Sequence, residues 1–499
     1  MKQPLRSDER RAAGKSESPG EARGTARAGS AEIATASEGG RQRAALNGSI
    51  LSTMLRLAWP TVIVLVVQTF VGVAETYFVS FLGTDALAGV ALVFPVLMLM
   101  QMMSNGGVGG GVASAVARAL GAGRRDDADA LGLHALVLAV AFGFLFTAAE
   151  LLGGRVLYRL LGGEGNALAA ATAYADVVFS GAILVWVVSL LAAALRGGGN
   201  TVVPAMVTLG GVFVLLPLSP ALIFGFGPLP RLGVAGAGVA VVIYYLAAAV
   251  ALILFMRTRR SVVHLRFDLR RIEWRLLVDV LRVGGLSALG TIQSNLTVVL
   301  VTGAVGLFGT DAIAGYGIAS RLDYVLIPLL FGLGTAVLTM VGTNIGAGQL
   351  ARAQHIAWIG ALLAAAITET IGLAAAVVPY AWLGLFSSEP AVLATGALYL
   401  RVVGPSYGFF GLGLMLYFAG QGAGRVVWPV LAGTARLTVA ALIGWLAVAG
   451  FGASLGLLFS IVAVSSLTFG AITAAALWIG RWGHRGVMPF KDSHVSESL

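Results

Sequence analysis

The stretch Leu55–Gly89, LRLAWPTVIVLVVQTFVGVAETYFVSFLGTDALAG, returns in altered form as Leu281–Gly315, LRVGGLSALGTIQSNLTVVLVTGAVGLFGTDAIAG, without a gap and at an offset of 226 residues. Each copy runs apolar for longer than the roughly 20 residues a helix needs to cross hydrocarbon. The match continues beyond these segments: ALGAG at 119–123 pairs with NIGAG at 344–348, and GNTVVP at 199–204 with GRVVWP at 424–429, both 225 residues apart. So constant an offset means that one multi-helix unit was duplicated whole.

Apolar segments between charged or Gly/Pro punctuation give twelve spans, near 55–82, 86–117, 130–152, 170–195, 201–224, 233–256, 277–307, 312–345, 352–378, 393–419, 426–449 and 454–479. Each unit therefore holds six, an even number, so both enter the membrane from the same face as parallel repeats. The fold expected is all-α and polytopic: twelve transmembrane helices in two six-helix lobes related by a parallel internal repeat. Composition agrees, with 58% hydrophobic and 11% charged residues among 499 and a mean hydropathy of +0.89. Too little charge is present to solvate a globular surface of that size.

The expected division is a disordered cytoplasmic tail at 1–50, an N-terminal lobe at 51–256, a basic cytoplasmic linker at 257–276, a C-terminal lobe at 277–480 and a cytoplasmic tail at 481–499. Seven arginines crowd the linker (257, 259, 260, 266, 270, 271 and 275). If the spans alternate, Arg118, Arg124, Arg125, Arg196, Arg352 and Arg425 fall on its side, against Arg155, Arg159 and Arg231 opposite. By the positive-inside rule both termini are cytoplasmic, in a multi-pass protein of the cell membrane. The net charge of +10 is thus topological, and no nucleic-acid partner is expected. With no cysteine in the chain, disulfides, thiolate metal sites and cysteine nucleophiles are excluded.

One carboxylate, Glu75, lies inside the first copy, where the second has Val301. An acid within a span is a functional hypothesis by default. Gln68 and Gly72 share its helical face at seven and three residues' distance. The second lobe carries Arg321, Asp323, Glu369, Arg401 and Arg436, each about ten or more residues into its span, with Gln293 and Asn295 on the seventh helix. Asp323 and Glu369 serve either as cavity lining or as bridges to the arginines, since intramembrane charges pair with one another.

Pro60 followed by Glu75, LGTDALAG (82–89), GGGVASAVARALGAG (109–123), LRGGGNT (195–201), LIFGFGP (222–228) with GVAGAG (233–238), FGTDAIAGYGIASR (308–321), GTNIGAG (342–348) and FAGQGAG (418–424) together resemble the multidrug and toxic compound extrusion (MATE) family of prokaryotic type. The resemblance covers Leu55 to about Arg436 and implies two six-helix lobes exporting amphipathic, cationic small molecules in exchange for protons or sodium. The chain departs from that pattern where it matters for the ion. Glu75 replaces a common Asp, and Leu215 and Ser219 stand where many relatives carry Asn and Asp; Val241 replaces a Thr. Sodium is a hard cation that exchanges its water for several oxygens, and one Glu with one Ser are too few. A proton needs a single buried carboxylate. The expectation is a proton-coupled antiporter, working as a monomer in the lipid bilayer, with Glu75 as the coupling residue and Gln68, Gln293, Asn295, Asp323 and Glu369 lining the substrate cavity.

No cofactor, metal or enzymatic activity is expected. GPSYG (404–408) and GASLG (452–456) fit a hydrolase pattern, but neither follows a strand. Gly14-Lys15-Ser16 lacks the earlier glycine of a phosphate loop, Glu9 standing there. Asp126, Asp127 and Asp129 are read as helix-capping residues, and His134 as structural. The alternatives kept are a lipid-linked precursor flippase of the same superfamily, which calls for a larger basic cavity, and a membrane transferase, for which those aspartates are the candidate metal ligands.

Overall fold

The computed structural model describes residue 40 and residues 42–479 apart from 228, 269 and 271, and these contain helices, turns and coil without a strand. The spans are α1 Ile50–Ser80, α2 Thr84–Gly121, α3 Arg125–Leu160, α4 (Gly165–Ser180 and Ala182–Gly197, bent by 48°), α5 Val202–Phe224, α6 Val234–Met256, α7 Trp274–Gly306, α8 Thr310–Gly346, α9 Leu350–Val377, α10 Pro390–Gly422, α11 Val427–Phe451 and α12 Leu455–Trp478. With the bent pair of α4 counted as one span, all twelve expected spans are present, some longer than the apolar run, as α3 is, and others within a residue or two of it. Gly181 marks the bend in α4. Single π-helical segments interrupt α2 at Met103–Val108 and α11 at Thr438–Ile443, and α5 carries Pro217 and Pro220 within it.

The duplication is visible in the backbone. Gly83 and Gly309 have φ of 104° and 102°, Gly123 and Gly348 both 76°, Gly199 and Gly424 77° and 71°, Gly227 and Gly452 64° and 63°. Each pair is separated by the repeat offset and lies at a helix boundary where the chain must reverse. Glycine takes such positive angles at little cost, so the turns were preserved while the side chains between them diverged.

Each lobe has its own apolar core. In the first, Trp186, fully buried, stacks on Phe142 with centroids 4.9 Å apart. In the second, Tyr316, Tyr399 and Phe459 meet at 5.2 to 6.2 Å. Helix α1 belongs to both. Met54 and Ala58 lie in the second core, and Gly332 of α8 is so close that a Cβ there would stand 2.3 Å from Val62 Cγ2. Val79 at its other end joins the first core.

The lobes close on one another at the end that carries the linker. A Cβ added at Gly111 would stand 2.7 Å from Gly284 N, one at Gly121 2.0 Å from the Thr343 carbonyl oxygen, and one at Gly346 2.1 Å from the Arg118 carbonyl oxygen. Polar contacts cross the same seam. Arg118 pairs with Asp279 at 2.8 Å, the Ser114 hydroxyl donates to the Gln421 carbonyl, Gln421 Nε2 donates to the Gly106 carbonyl at 2.9 Å, and the Thr339 hydroxyl donates to the Arg196 carbonyl at 3.0 Å.

Two expectations about the segments outside the spans need revision. Residues 42–47, placed by composition in a disordered tail, are helical and strap the seam: Gln42 Nε2 donates to the Leu120 carbonyl at 2.8 Å, and Asn344 Nδ2 to the Ala45 carbonyl at 3.0 Å. Residues 1–39 and the tail after 479 lie outside the described residues. The linker packs against the first lobe, since Ser261, Val263 and Leu265 are buried and Asp129 Oδ1 accepts from His264 N at 2.7 Å. Asp127 pairs with Arg124 at 2.6 Å and Arg275 at 3.4 Å. These aspartates do not cap α3, whose N-terminus has no side-chain cap. They hold the linker to the lobe, because nearby arginines offer a stronger, charge-assisted partner than the backbone. His134 is structural: fully buried, it is hydrogen-bonded through Nδ1 to the Ala130 carbonyl and through Nε2 to the Glu273 backbone.

Candidate functional site

Glu75 sits five residues before the end of α1, facing α5. Ser219, fully buried between Pro217 and Pro220, donates its hydroxyl to Glu75 Oε2 at 2.7 Å. Glu75 Oε1 is buried and has no partner. Leu215, Leu222 and Tyr244 pack with Val71 and Val241 into a small cluster on the neighbouring turns, and the Tyr174 phenol lies within electrostatic reach of Glu75. Because proline lacks an N–H, Pro217 and Pro220 leave the carbonyls of Phe213 and Leu216 without their helical donors. Free acceptors therefore stand on the same helix as Ser219. Among the described residues Ser219 is the one side chain hydrogen-bonded to Glu75.

The other candidate residues scatter. Gln68 is exposed, within reach of the Tyr244 hydroxyl. Gln293 is buried and donates to Thr434 Oγ1 at 2.8 Å inside the second lobe, whereas Asn295 Nδ2 reaches Met102 Sδ of the first lobe at 3.5 Å. Two residues apart on a helix, they occupy different faces, so one binds α7 to α11 and the other meets the opposing lobe. Asp323 accepts from the Tyr399 hydroxyl at 3.3 Å, and Glu369 Oε2 from Gly408 N at 2.7 Å. Neither carboxylate forms an ion pair with Arg321, Arg401 or Arg436 among the described residues. Arg321 and Arg401 are exposed and place their guanidinium groups 5.7 Å from the rings of Phe386 and Tyr380. Long stems of this kind cover apolar surface while the charged head stays accessible. Arg436 differs, lying 4.6 Å over Phe410 with a buried, unpartnered Nε, within electrostatic reach of Asp323.

Sequence reasoning passed over Glu150, which is buried and accepts from the Tyr158 hydroxyl on its own helix. A lone acid in the apolar run TAAELL was the available signal. It also read Arg118 as a topological charge, and the seam partners Ser114, Asp279 and Gln421 went unnoticed, because nothing local to them marks an inter-lobe contact. No cluster of three or more His, Cys, Asp or Glu residues that could hold a metal occurs among the described residues.

Two lobes of interrupted helices thus meet at a seam closed at one end, with a half-buried acid on α1 facing α5. The sequence profile of MatE matches residues 60–221 and 287–446, one stretch in each lobe. The chain belongs to the MatE family. MatE proteins are transporters and not enzymes, and this one is a multi-pass secondary transporter of the cell membrane that moves small molecules. A protein described as a probable multidrug resistance protein NorM, from Thermotoga maritima, is 26% identical over 445 residues, covering 88% of this chain and 94% of the relative. A FAD transporter of Shewanella oneidensis is 28% identical over 377 residues, 75% of this chain and 82% of the relative. Among solved structures, a MATE crystal structure in a bent conformation superposes with a TM-score of 0.79 at 23% identity, covering 88% of this chain and 96% of that one. A MOP superfamily transporter from Pyrococcus furiosus gives 0.78 at the same identity and coverage.

Proposed function

We propose that this MatE protein exports amphipathic cations in exchange for protons, as a monomer with both termini in the cytoplasm, and that Glu75 is the coupling group. The observation that carries the reading is the small number of oxygens at that carboxyl: one hydroxyl hydrogen-bonded to it and the Tyr174 phenol within electrostatic reach. Such a pocket suits a proton and leaves sodium short of ligands. Ionised, Glu75 holds a charge with one hydrogen bond, and an incoming cation relieves it. Protonated, the same group becomes a donor, with the carbonyls freed by Pro217 and Pro220 as acceptors on α5. Because α1 begins in the second lobe's core and carries Glu75 near its other end, a change in how that end packs reaches the closed seam through a continuous helix. The two protonation states need to favour different conformations by only a few kcal/mol for the cycle to run.

Support for multidrug export comes from the relatives' descriptions. The flippase alternative asks for a large basic cavity, and Arg321 and Arg401 stack on aromatic rings instead of supplying one. A transferase would need the aspartates of α3 free, and Asp127 and Asp129 are committed to Arg124, Arg275 and His264. The deciding experiment is dye-cation efflux from proteoliposomes under an imposed pH or sodium gradient, for the parent and Glu75→Gln. A pH gradient alone should drive efflux and the variant should abolish it; efflux driven by sodium, or an indifferent variant, overturns the assignment.

A further inference from the structure

A cavity of about 220 Å³ opens on the seam at the linker end, lined by Arg56, Arg125, Asn200, Thr201, Thr339 and Thr343. No carboxylate lines it. Arg56 and Arg125 are both exposed and have no acidic partner among the described residues, so two guanidinium groups flank one space uncompensated. Thr201 heads α5 and is 4% exposed, yet its hydroxyl makes no capping bond to the helix it begins and has no other partner among the described residues. Asn200 already caps, accepting from Val203 N at 3.2 Å. The space thus combines two free guanidinium groups, a helix N-terminus and the unpartnered hydroxyl of a buried threonine. Paired donors of this kind match the oxygens of a phosphate group.

We infer that this cavity is a binding site for a phosphate monoester or diester, seated between Arg56 and Arg125 with Thr201 as a further donor. Its walls come from both lobes: Arg56, Arg125, Asn200 and Thr201 from the first, Thr339 and Thr343 from the second. An occupant therefore binds the arrangement in which this end is closed and releases when the walls part, so it stabilises that state by mass action. Next to Arg56, Leu51, Leu55 and Trp59 are exposed in succession along α1. That is the surface an acyl chain would follow if the phosphate belongs to a lipid. The consequence for transport rests on the alternating-access reading; the binding does not.

The test uses the full chain in phosphatidylcholine nanodiscs, titrated with inorganic phosphate or glycerol 3-phosphate, or doped with phosphatidylglycerol. Thermal unfolding and native mass spectrometry report occupancy. Saturable binding with a raised unfolding temperature is expected, weakened roughly ten- to a hundredfold in Arg56→Gln/Arg125→Gln by loss of charge-assisted bonds and weakened less in Thr201→Val. Arg43→Gln, an exposed cation that does not line the cavity, should bind like the parent. Response to the soluble phosphates identifies a free anion, and response to phosphatidylglycerol alone identifies a headgroup; either supports the site. Absence of saturable binding by all three probes overturns it, as does equal loss in Arg43→Gln. A folded Thr201→Val protein that binds as the parent does removes the hydroxyl from the assignment.

Discussion

Gly346→Ala tests whether the seam sets the balance between the two faces of the carrier. The added methyl would stand 2.1 Å from the Arg118 carbonyl oxygen and 3.0 Å from Ala122 N, both backbone atoms that no rotamer change can move aside. Relief requires the lobes to separate by about 1 Å, and overpacking of this kind costs about 1–3 kcal/mol. The cost falls only on the closed arrangement, so the closed-to-open ratio should drop about 5- to 150-fold. A parent that is closed 99 times in a hundred would then be open about 5% to 60% of the time. The natural chain has no cysteine, so spin labels go only where they are placed. Met206→Cys on α5 and Leu431→Cys on α11 are exposed repeat mates, one in each lobe. Double electron–electron resonance between them should show a longer-distance population that grows in Gly346→Ala. Gly72→Ala, where a methyl would meet nothing within 4 Å, should leave the distribution alone. An unchanged distribution in folded Gly346→Ala, or an equal shift in Gly72→Ala, would refute the argument.

Leu215→Asn with Ser219→Asp should add oxygen ligands around Glu75 and make efflux respond to sodium, measured with an imposed sodium gradient in proteoliposomes; continued indifference to sodium would count against the coordination argument. Gly83→Ala and Gly309→Ala each force a side chain into a glycine-only backbone region at a cost of about 1–3 kcal/mol. The two losses should add in the double variant because the sites are far apart, as read by thermal unfolding in detergent. Asp129→Ala removes the acceptor for His264 N, and trypsin should then cut among the linker arginines several times faster with the lobes still folded.

Much of this architecture could be read from the sequence, because a repeat of six apolar spans constrains both the number of helices and their direction. The Glu75–Ser219 pair was half legible: the acid stood out in an apolar run, and the serine only as a departure from a resemblance. What escaped depends on helix rotation and on contacts distant in sequence. Gln293 and Asn295 look like one polar patch in the linear chain, yet a helix turns about 100° per residue and sends them to different neighbours. Arg321 and Arg401 count as deep within their spans, yet their charged heads stay accessible. The aspartates at the head of α3 fit a local cap, until a linker more than 130 residues on brings cations within reach.

The first lobe keeps Glu75 where the second has Val301, and on the proposed mechanism this asymmetry fixes the electrical character of the pump. One carboxylate exchanges one proton inward for one substrate molecule outward. With a monovalent cation as cargo the net charge moved per cycle is zero, so the membrane voltage exerts no force on the exchange and the pH difference alone sets how steep a drug gradient the cell can hold. A neutral cargo would make the same cycle electrogenic, and a dication would reverse the direction in which voltage acts.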